Sequence, residues 1–260
     1  MKPLVRYEVE GSIATITLDR PEKRNAMSFA MLGEFNRAIE RAGADPDTRV
    51  VIVTGSGGSF CAGTDLSDLS SVPGEQRGGR AESREKSSWW PLVDCPKPVI
   101  GAIDGAAVGM GAEFTSQCDV RIASYRARFA WNFAHRGLVP DTGAGSWLLP
   151  RLIGTARALR LLYSGAFLSA EEALAIGYVA RVVEPDALAE AAREEAVAIL
   201  AGSPLSHRLI KSLVYAGLER GAPEHMAEHR KALETCFRSE DHREGVASFL
   251  ERRPARFSGR

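Results

Sequence analysis

An α/β core followed by a C-terminal helical region is the architecture predicted for this chain of 260 residues. Three observations predict it: apolar strand-like runs that lead into small-residue turns and helices, mostly helical periodicity after Pro140, and a joint at Ala201-Gly-Ser-Pro204 with nearly continuous helix beyond it. The core is drawn over residues 1–200 and the helical region over 201–260.

Residues 5–9 and 13–18, separated by Glu10-Gly-Ser12, read as a hairpin, and residues 27–42 carry the apolar spacing of an amphipathic helix. Residues 50–54 read as a strand. The stretch 70–84 is rich in Ser, Gly, Arg and Glu and poor in apolar side chains, which predicts a mobile surface loop or lid, followed by a helix carrying Trp89 and Trp90. Residues 99–103 and 120–123 read as buried strands, and the glycines between them lead into a helix over 109–117. Helices follow at 147–152, 155–163 and 169–176, the last opening on Ser169-Ala-Glu-Glu172, the spacing of a helix N-cap with an acidic third position. A short strand is expected at 179–183 and a basic tail at 251–256.

Thirty-three basic and thirty-three acidic side chains cancel, so no overall field draws nucleic acid or an anionic membrane to the protein. The four cysteines, Cys61, Cys95, Cys118 and Cys236, show no CxxC spacing. The N-terminus lacks a signal-peptide stretch, and no run reaches the roughly 18 apolar residues of a membrane span, so the expected location is cytoplasmic.

Two segments look like halves of one site: Phe60-Cys-Ala-Gly-Thr-Asp-Leu66, and Lys97-Pro-Val-Ile-Gly-Ala-Ile-Asp-Gly-Ala-Ala-Val-Gly-Met-Gly-Ala-Glu113 with Cys118-Asp119. Each sets an apolar run before a small-residue turn, which lets backbone N–H groups approach a ligand. An anionic oxygen shared by such turns is the arrangement that stabilises an enolate or a tetrahedral intermediate. Read without further context, Gly109 and Gly111 serve close helix packing instead.

With these two segments, Leu18-Asp-Arg-Pro-Glu-Lys-Arg-Asn-Ala-Met27, Gly137-Leu-Val-Pro-Asp-Thr-Gly143, Leu168-Ser-Ala-Glu-Glu-Ala173 and Ser239-Glu-Asp-His-Arg-Glu-Gly-Val-Ala-Ser-Phe249 occur in one order across the chain. In these six segments the sequence resembles the crotonase superfamily, the enoyl-CoA hydratase/isomerase family. The resemblance implies a spiral of ββα turns with a C-terminal helical trimerisation region, assembled as a homotrimer or homohexamer. It also implies a thioester of coenzyme A as the substrate, with no separate cofactor and no metal.

Residue by residue, the resemblance assigns the two oxyanion-hole N–H groups to Ala62 and Met110, neither of which is proline. The family commonly has glycine at the position of Met110, so a positive φ there would strain the turn. Glu113 matches the first catalytic glutamate of the hydratases, one helical turn after Met110. The second falls on Phe133, which cannot transfer a proton. Asp141 stands where several isomerases and a related dehalogenase carry an acid, and this favours double-bond isomerisation with Glu113 and Asp141 as the proton-transfer pair. Hydration through Glu113 and an ordered water is the alternative. Outside the family, Asp141 reads as a helix N-cap.

Coenzyme A is expected to contact Arg24, Ala26 and the strip Ala62, Gly63, Thr64, Asp65 and Leu66, together with a basic group from a neighbouring subunit. Asp65 has no evident proton to move and reads as an organiser of its turn. Phe133 and His135 are assigned to the acyl pocket, although His135 equally suits a structural role.

His225-Met-Ala-Glu-His229 has the spacing of inverted zinc proteases, but Glu224, Glu228, Arg230 and Lys231 around it suit an exposed face. Gly55-Ser-Gly-Gly58 lacks the Lys-Ser/Thr of a phosphate loop. One crotonase-like group binds AU-rich RNA, and Arg252, Arg253, Arg256 and Arg260 would serve that role. Zero net charge and the absence of an aromatic stacking series argue against it.

Overall fold

The computed structural model of the chain describes residues 2–70 and 90–260. The stretch 71–89, which holds nearly all of the expected loop and Trp89, lies outside the described residues.

A six-stranded sheet runs through the core in the order β1 (Val5–Glu10), β2 (Ile13–Leu18), β3 (Val50–Gly55), β4 (Val99–Ile103), β6 (Val120–Ser124), β9 (Arg181–Val183). The first pair is the expected hairpin and is antiparallel; every later pair is parallel. Val50 to Val53 are buried on both faces, as parallel strands require. Alternate side chains divide two cores. Val51 and Val53 join Ile16, Met31, Phe35, Phe60 and Phe114 on one face, and Val50 and Ile52 join Ile100, Ile122, Leu188 and Ala192 on the other.

A second sheet of three short strands, β5 (Ala106–Val108), β7 (Arg128–Ala130) and β8 (Leu168–Ser169), was not foreseen. Strands of two or three residues are too short to show a period. They matter because a parallel bridge joins Cys61 to Ala107, so the first turn is carried to the edge of this sheet.

Helix α1 (Phe29–Ala44) is capped by Ser28, whose hydroxyl accepts the Met31 N–H at 3.2 Å, and it buries Met31, Phe35, Ala38, Ile39 and Ala42 along one stripe. Two short helices flank the undescribed stretch, α2 (Leu66–Ser70) and α3 (Pro91–Asp94). Helix α4 (Met110–Gln117) is buried along its whole length. The expected helix at 147–152 is two pieces, α5 (Ala144–Trp147) and α6 (Leu149–Ile153), followed by α7 (Thr155–Ser164). Helix α8 (Ala170–Ala175) opens on a complete capping box between Ser169 and Glu172. The strand expected at 179–183 is shorter, Arg181–Val183.

Helix α9 (Leu188–Leu200) covers the second core, and α10 (Pro204–Gly217), α11 (Ala222–Arg238) and α12 (Glu240–Leu250) follow. Among the described residues, no helix is long and apolar enough to cross a membrane. The tail does not trail away. Asp241, which is buried, accepts the backbone N–H groups of Ser258 and Gly259, and Arg253 pairs with Glu244.

Helix α10 is fastened to the core by Lys211. Its ammonium donates to the Leu92 and Lys97 carbonyls and to Asp119 at 2.8 Å, and Tyr215 donates to the other Asp119 oxygen. Lys211→Ala leaves the Asp119 carboxylate and two carbonyls without that donor in a nearly dry site. The expected loss is about 3 kcal/mol of folding free energy, read from the urea midpoint; an unchanged midpoint would show that α10 docks without the ion pair.

Candidate active site

The first turn is built by a segment distant in sequence. Arg24 and Asn25 take left-handed conformations, with φ of 49° and 56°, and the buried Asn25 amide donates to the Ser56 and Ser59 carbonyls at 2.9 and 2.6 Å. Asparagine tolerates that backbone geometry better than most residues. The Arg24 carbonyl is thereby aimed at residue 62, and the Ala62 N–H donates to it at 3.0 Å. This corrects the expectation for Ala62: its N–H is consumed inside the protein and cannot hold a substrate oxygen.

One residue on, Gly63 has φ of 101°, its carbonyl accepts the Met27 N–H, and the Asp65 N–H donates back to the Met27 carbonyl. Between them the Thr64 N–H makes no hydrogen bond to any described residue. Ala62, Thr64 and Leu66 alternate outward while Cys61, Gly63 and Asp65 are buried, so backbone edge rather than side chains lines this strip. Asp65 braces it, accepting from Ser67 N–H at 2.9 Å and from Arg20 at 2.6 Å. Those bonds, Arg20 first, hold its carboxyl below the usual range. Arg24 has an exposed side chain and Ala26 is half-buried beside it.

The second turn meets the first directly. A Cβ on Gly63 would lie 2.9 Å from the Val108 carbonyl and 3.8 Å from Gly109 Cα, and one on Gly111 would lie 2.2 Å from the Cys61 carbonyl. Gly109, with φ of 55°, takes the left-handed turn, so Met110 begins α4 as an ordinary helical residue and the strain anticipated at Met110 does not arise. As the first residue of the helix, Met110 has an N–H without an intrahelical acceptor, and no described residue supplies one. The two unengaged N–H groups, of Thr64 and Met110, therefore follow Gly63 and Gly109, on each of which an added Cβ would reach within 3.8 Å of the other's Cα.

Glu113 is fully buried, one turn along α4. Its Oε2 accepts the Thr142 hydroxyl at 2.8 Å. Burial pushes its carboxyl up to about 7, and the nearby Asp141 charge adds to the rise; the Gly145 peptide and Thr142 oppose it. Asp141 is half-buried, and its Oδ2 accepts the Thr64 hydroxyl at 3.2 Å. It does not cap a helix, because the residue before α5 is Gly143 and the Ala144 N–H goes to Thr142. Adjacent residues thus tie one acid to each turn. The Trp90 indole N–H donates to the Thr142 carbonyl at 2.9 Å and steadies that segment.

The Phe133 ring faces the second turn, its Cζ 3.9 Å from the point a Gly109 Cβ would occupy. His135 does not join it. That side chain is exposed, with its ring against Gly165 at the end of α7, so the structure does not place it with the acids.

The profile of the family described as enoyl-CoA hydratase/isomerase matches residues 8–260. The chain belongs to the enoyl-CoA hydratase/isomerase family. A probable enoyl-CoA hydratase of Rhodobacter capsulatus is 37% identical over 260 residues, covering 98% of each chain. The 1,2-epoxyphenylacetyl-CoA isomerase of Escherichia coli is 34% identical over 263 residues, covering all of both. The crystal structure of enoyl-CoA hydratase from Bacillus anthracis superposes with a TM-score of 0.93 at 33% identity, covering 99% of this chain and 100% of that one. These likenesses establish a crotonase-superfamily enzyme with the crotonase fold, and the family implies an acyl-CoA substrate.

For this family member, sequence reasoning missed Asn25, Thr142 and the role of Thr64. Asn25 left a faint signal, an Asn in a polar turn. Thr142 left none, since its partner Glu113 is distant in sequence and meets it only in the fold.

Proposed function

We propose that this enzyme isomerises the double bond of an enoyl-CoA thioester, with the carbonyl oxygen held by the N–H groups of Thr64 and Met110. The observation that carries the reading is the meeting of two carboxyl groups at the two turns: Glu113 on α4, held by the Thr142 hydroxyl, and Asp141, held by the Thr64 hydroxyl. Their environments differ: Glu113 is dry and pushed up to about 7, whereas Asp141 is half-buried. Such a pair supplies an acid and a base at one pH. In the α,β to β,γ direction Asp141 removes the γ-proton, negative charge moves onto the thioester oxygen against the two N–H groups, and Glu113 returns a proton at the α-carbon. The reverse direction exchanges the roles. The reaction draws on no cofactor beyond the CoA carried by its substrate.

Coenzyme A lies along Arg24, Ala26 and the backbone edge from Ala62 to Leu66 in this reading, and Phe133 borders the acyl chain. Helices over 201–260 form the assembly region of a homotrimer or homohexamer, supported by Ile210, Val214, Phe237 and Phe249, apolar residues exposed on α10 to α12. Hydration through Glu113 is the second reading, favoured by the hydratase names of several relatives.

β,γ- and α,β-unsaturated acyl-CoAs offered in deuterated water test the proposal. Asp141→Asn is expected to lower isomerisation and deuterium uptake at the γ-carbon at least ~100-fold. If Asp141→Asn leaves every turnover intact while Glu113→Gln abolishes hydration, the enzyme is a hydratase.

A further inference from the structure

The residue whose backbone offers one of the two unengaged N–H groups also touches an acid with its side chain. The Thr64 N–H makes no hydrogen bond to any described residue, and the Thr64 hydroxyl donates to Asp141 Oδ2 at 3.2 Å across 77 positions of sequence. Thr64 is held from both sides. The Gly63 carbonyl accepts the Met27 N–H at 2.7 Å, the Asp65 N–H donates to the Met27 carbonyl at 2.9 Å, and Met27 and Thr64 pair as a parallel bridge. A β-branched side chain on a fixed backbone keeps few χ1 rotamers, so the place of the hydroxyl follows from that of the backbone.

The chain around Asp141 has no such frame. Residues 137–143 form neither helix nor strand, Leu138 and Val139 are exposed, and a Cβ added at Gly137 or Gly143 would meet nothing within 4 Å. Packing alone does not set where this carboxylate stands. The neighbouring Thr142 is tied to Glu113 through its hydroxyl and to Trp90 through its carbonyl, and those bonds fix the chain beside Asp141 rather than its carboxylate. The Thr64 hydroxyl reaches the carboxylate itself.

The geometry points to the Thr64 side chain as a positioning group for Asp141, one that sets which carbon of the acyl chain loses its proton. A single residue then spans the reaction: the thioester oxygen rests on its N–H and the base rests on its hydroxyl. In the step it serves, Asp141 takes the γ-proton and the C–H electron pair enters the new β,γ double bond. The α,β pair shifts to the bond between the α-carbon and the carbonyl carbon, and the carbonyl pair moves onto the oxygen beside the Thr64 and Met110 N–H groups. Glu113 then delivers a proton to the α-carbon. A hydroxyl bonded to an anion is a charge-assisted contact, strong enough to orient the carboxylate for that transfer. The inference rests on the isomerase reading, because hydration through Glu113 makes no use of Asp141.

Deuterium uptake at two carbons separates this role from packing. In deuterated water, hexanoyl-CoA exchanges at the α-carbon through Glu113 and the two N–H groups, whereas α,β-unsaturated hexenoyl-CoA exchanges at the γ-carbon through Asp141. Thr64→Val keeps the branched shape and the backbone N–H and removes the hydroxyl. It is expected to lower the ratio of γ to α exchange at least ~10-fold, toward the roughly 100-fold that a misplacement of about 1 Å costs, and Thr64→Ser should restore most of that ratio. Thr64→Ala removes the same hydroxyl from this half-buried position and should repeat the fall, which decides the matter if the valine protein does not fold. A ratio left at the parental value overturns the proposal, as does an equal fall of α and γ exchange, the mark of a turn displaced as a whole. A parent enzyme that exchanges α-protons but takes up no deuterium at the γ-carbon overturns the isomerase reading, and this inference with it. Parental γ-uptake with an unmoved ratio in the variants removes this inference alone.

Discussion

Glu113→Gln is expected to lower turnover of enoyl-CoA substrates about a thousandfold while making the folded protein more stable at pH 8. The two effects share one cause. Burial pushes the Glu113 carboxyl from 4.5 up to about 7, so the folded state disfavours the anion that the unfolded chain carries freely. Below pH 4.5 both states hold the proton and Glu113 costs nothing by ionisation. Stability then falls as pH rises from 4.5 to 7, and above 7 the full cost, about 3 kcal/mol as an upper figure, is present. Glutamine cannot ionise and escapes that cost. Denaturant midpoints of parent and variant should therefore coincide near pH 4.5 and separate in favour of the variant by pH 8. A constant difference across that range would mean that Glu113 is not held in its neutral form by the fold.

Gly111→Ala is expected to cost both activity and stability, against the ordinary preference of a helix for alanine. Inside α4 that preference is worth up to about 1 kcal/mol. Here it loses to contact: the new Cβ would stand 2.2 Å from the Cys61 carbonyl and 2.9 Å from Cys61 Cβ, in a region with no slack. Relief requires the N-terminus of α4 to part from the first turn, which separates the N–H groups of Thr64 and Met110. A misplacement of about 1 Å costs on the order of 100-fold in rate, and overpacking of this kind costs about 1–3 kcal/mol in stability. Gly33→Ala on α1 is the comparison, since its Cβ would meet only Arg37 Nη1 at 3.4 Å and the helix should gain about 0.5–1 kcal/mol. An active, stable Gly111→Ala enzyme would show that the two turns need not touch.

The site was legible where its chemistry is local. The glycine pair before Glu113, the turn-to-helix interval and the capping box at Ser169 each depend on neighbours within a few residues, and each stands within a residue or two of its expected place. Met110 was legible in position and misjudged in strain, because which of two adjacent residues takes positive φ is decided by how the turn closes. Ala62 was misjudged for a different reason, its N–H being already spent on the Arg24 carbonyl. Ala62 and Thr64 lie on the same side of one extended strip, and alternation cannot say which N–H is already spent. That is settled by the Arg24 carbonyl, placed there by Asn25 from a loop almost forty residues earlier in the chain.

Periodicity and turn chemistry were enough for the α/β class, and the resemblance of six ordered segments to the enoyl-CoA hydratase/isomerase family supplied the family and pointed to Glu113 and Asp141. Tertiary structure alone decided the remainder: the second sheet, the unengaged Thr64 N–H, and the threonine anchors of both acids. Each of these is a meeting of distant segments. Hydrogen-bond occupancy and burial belong to such meetings, and no single stretch of chain contains them.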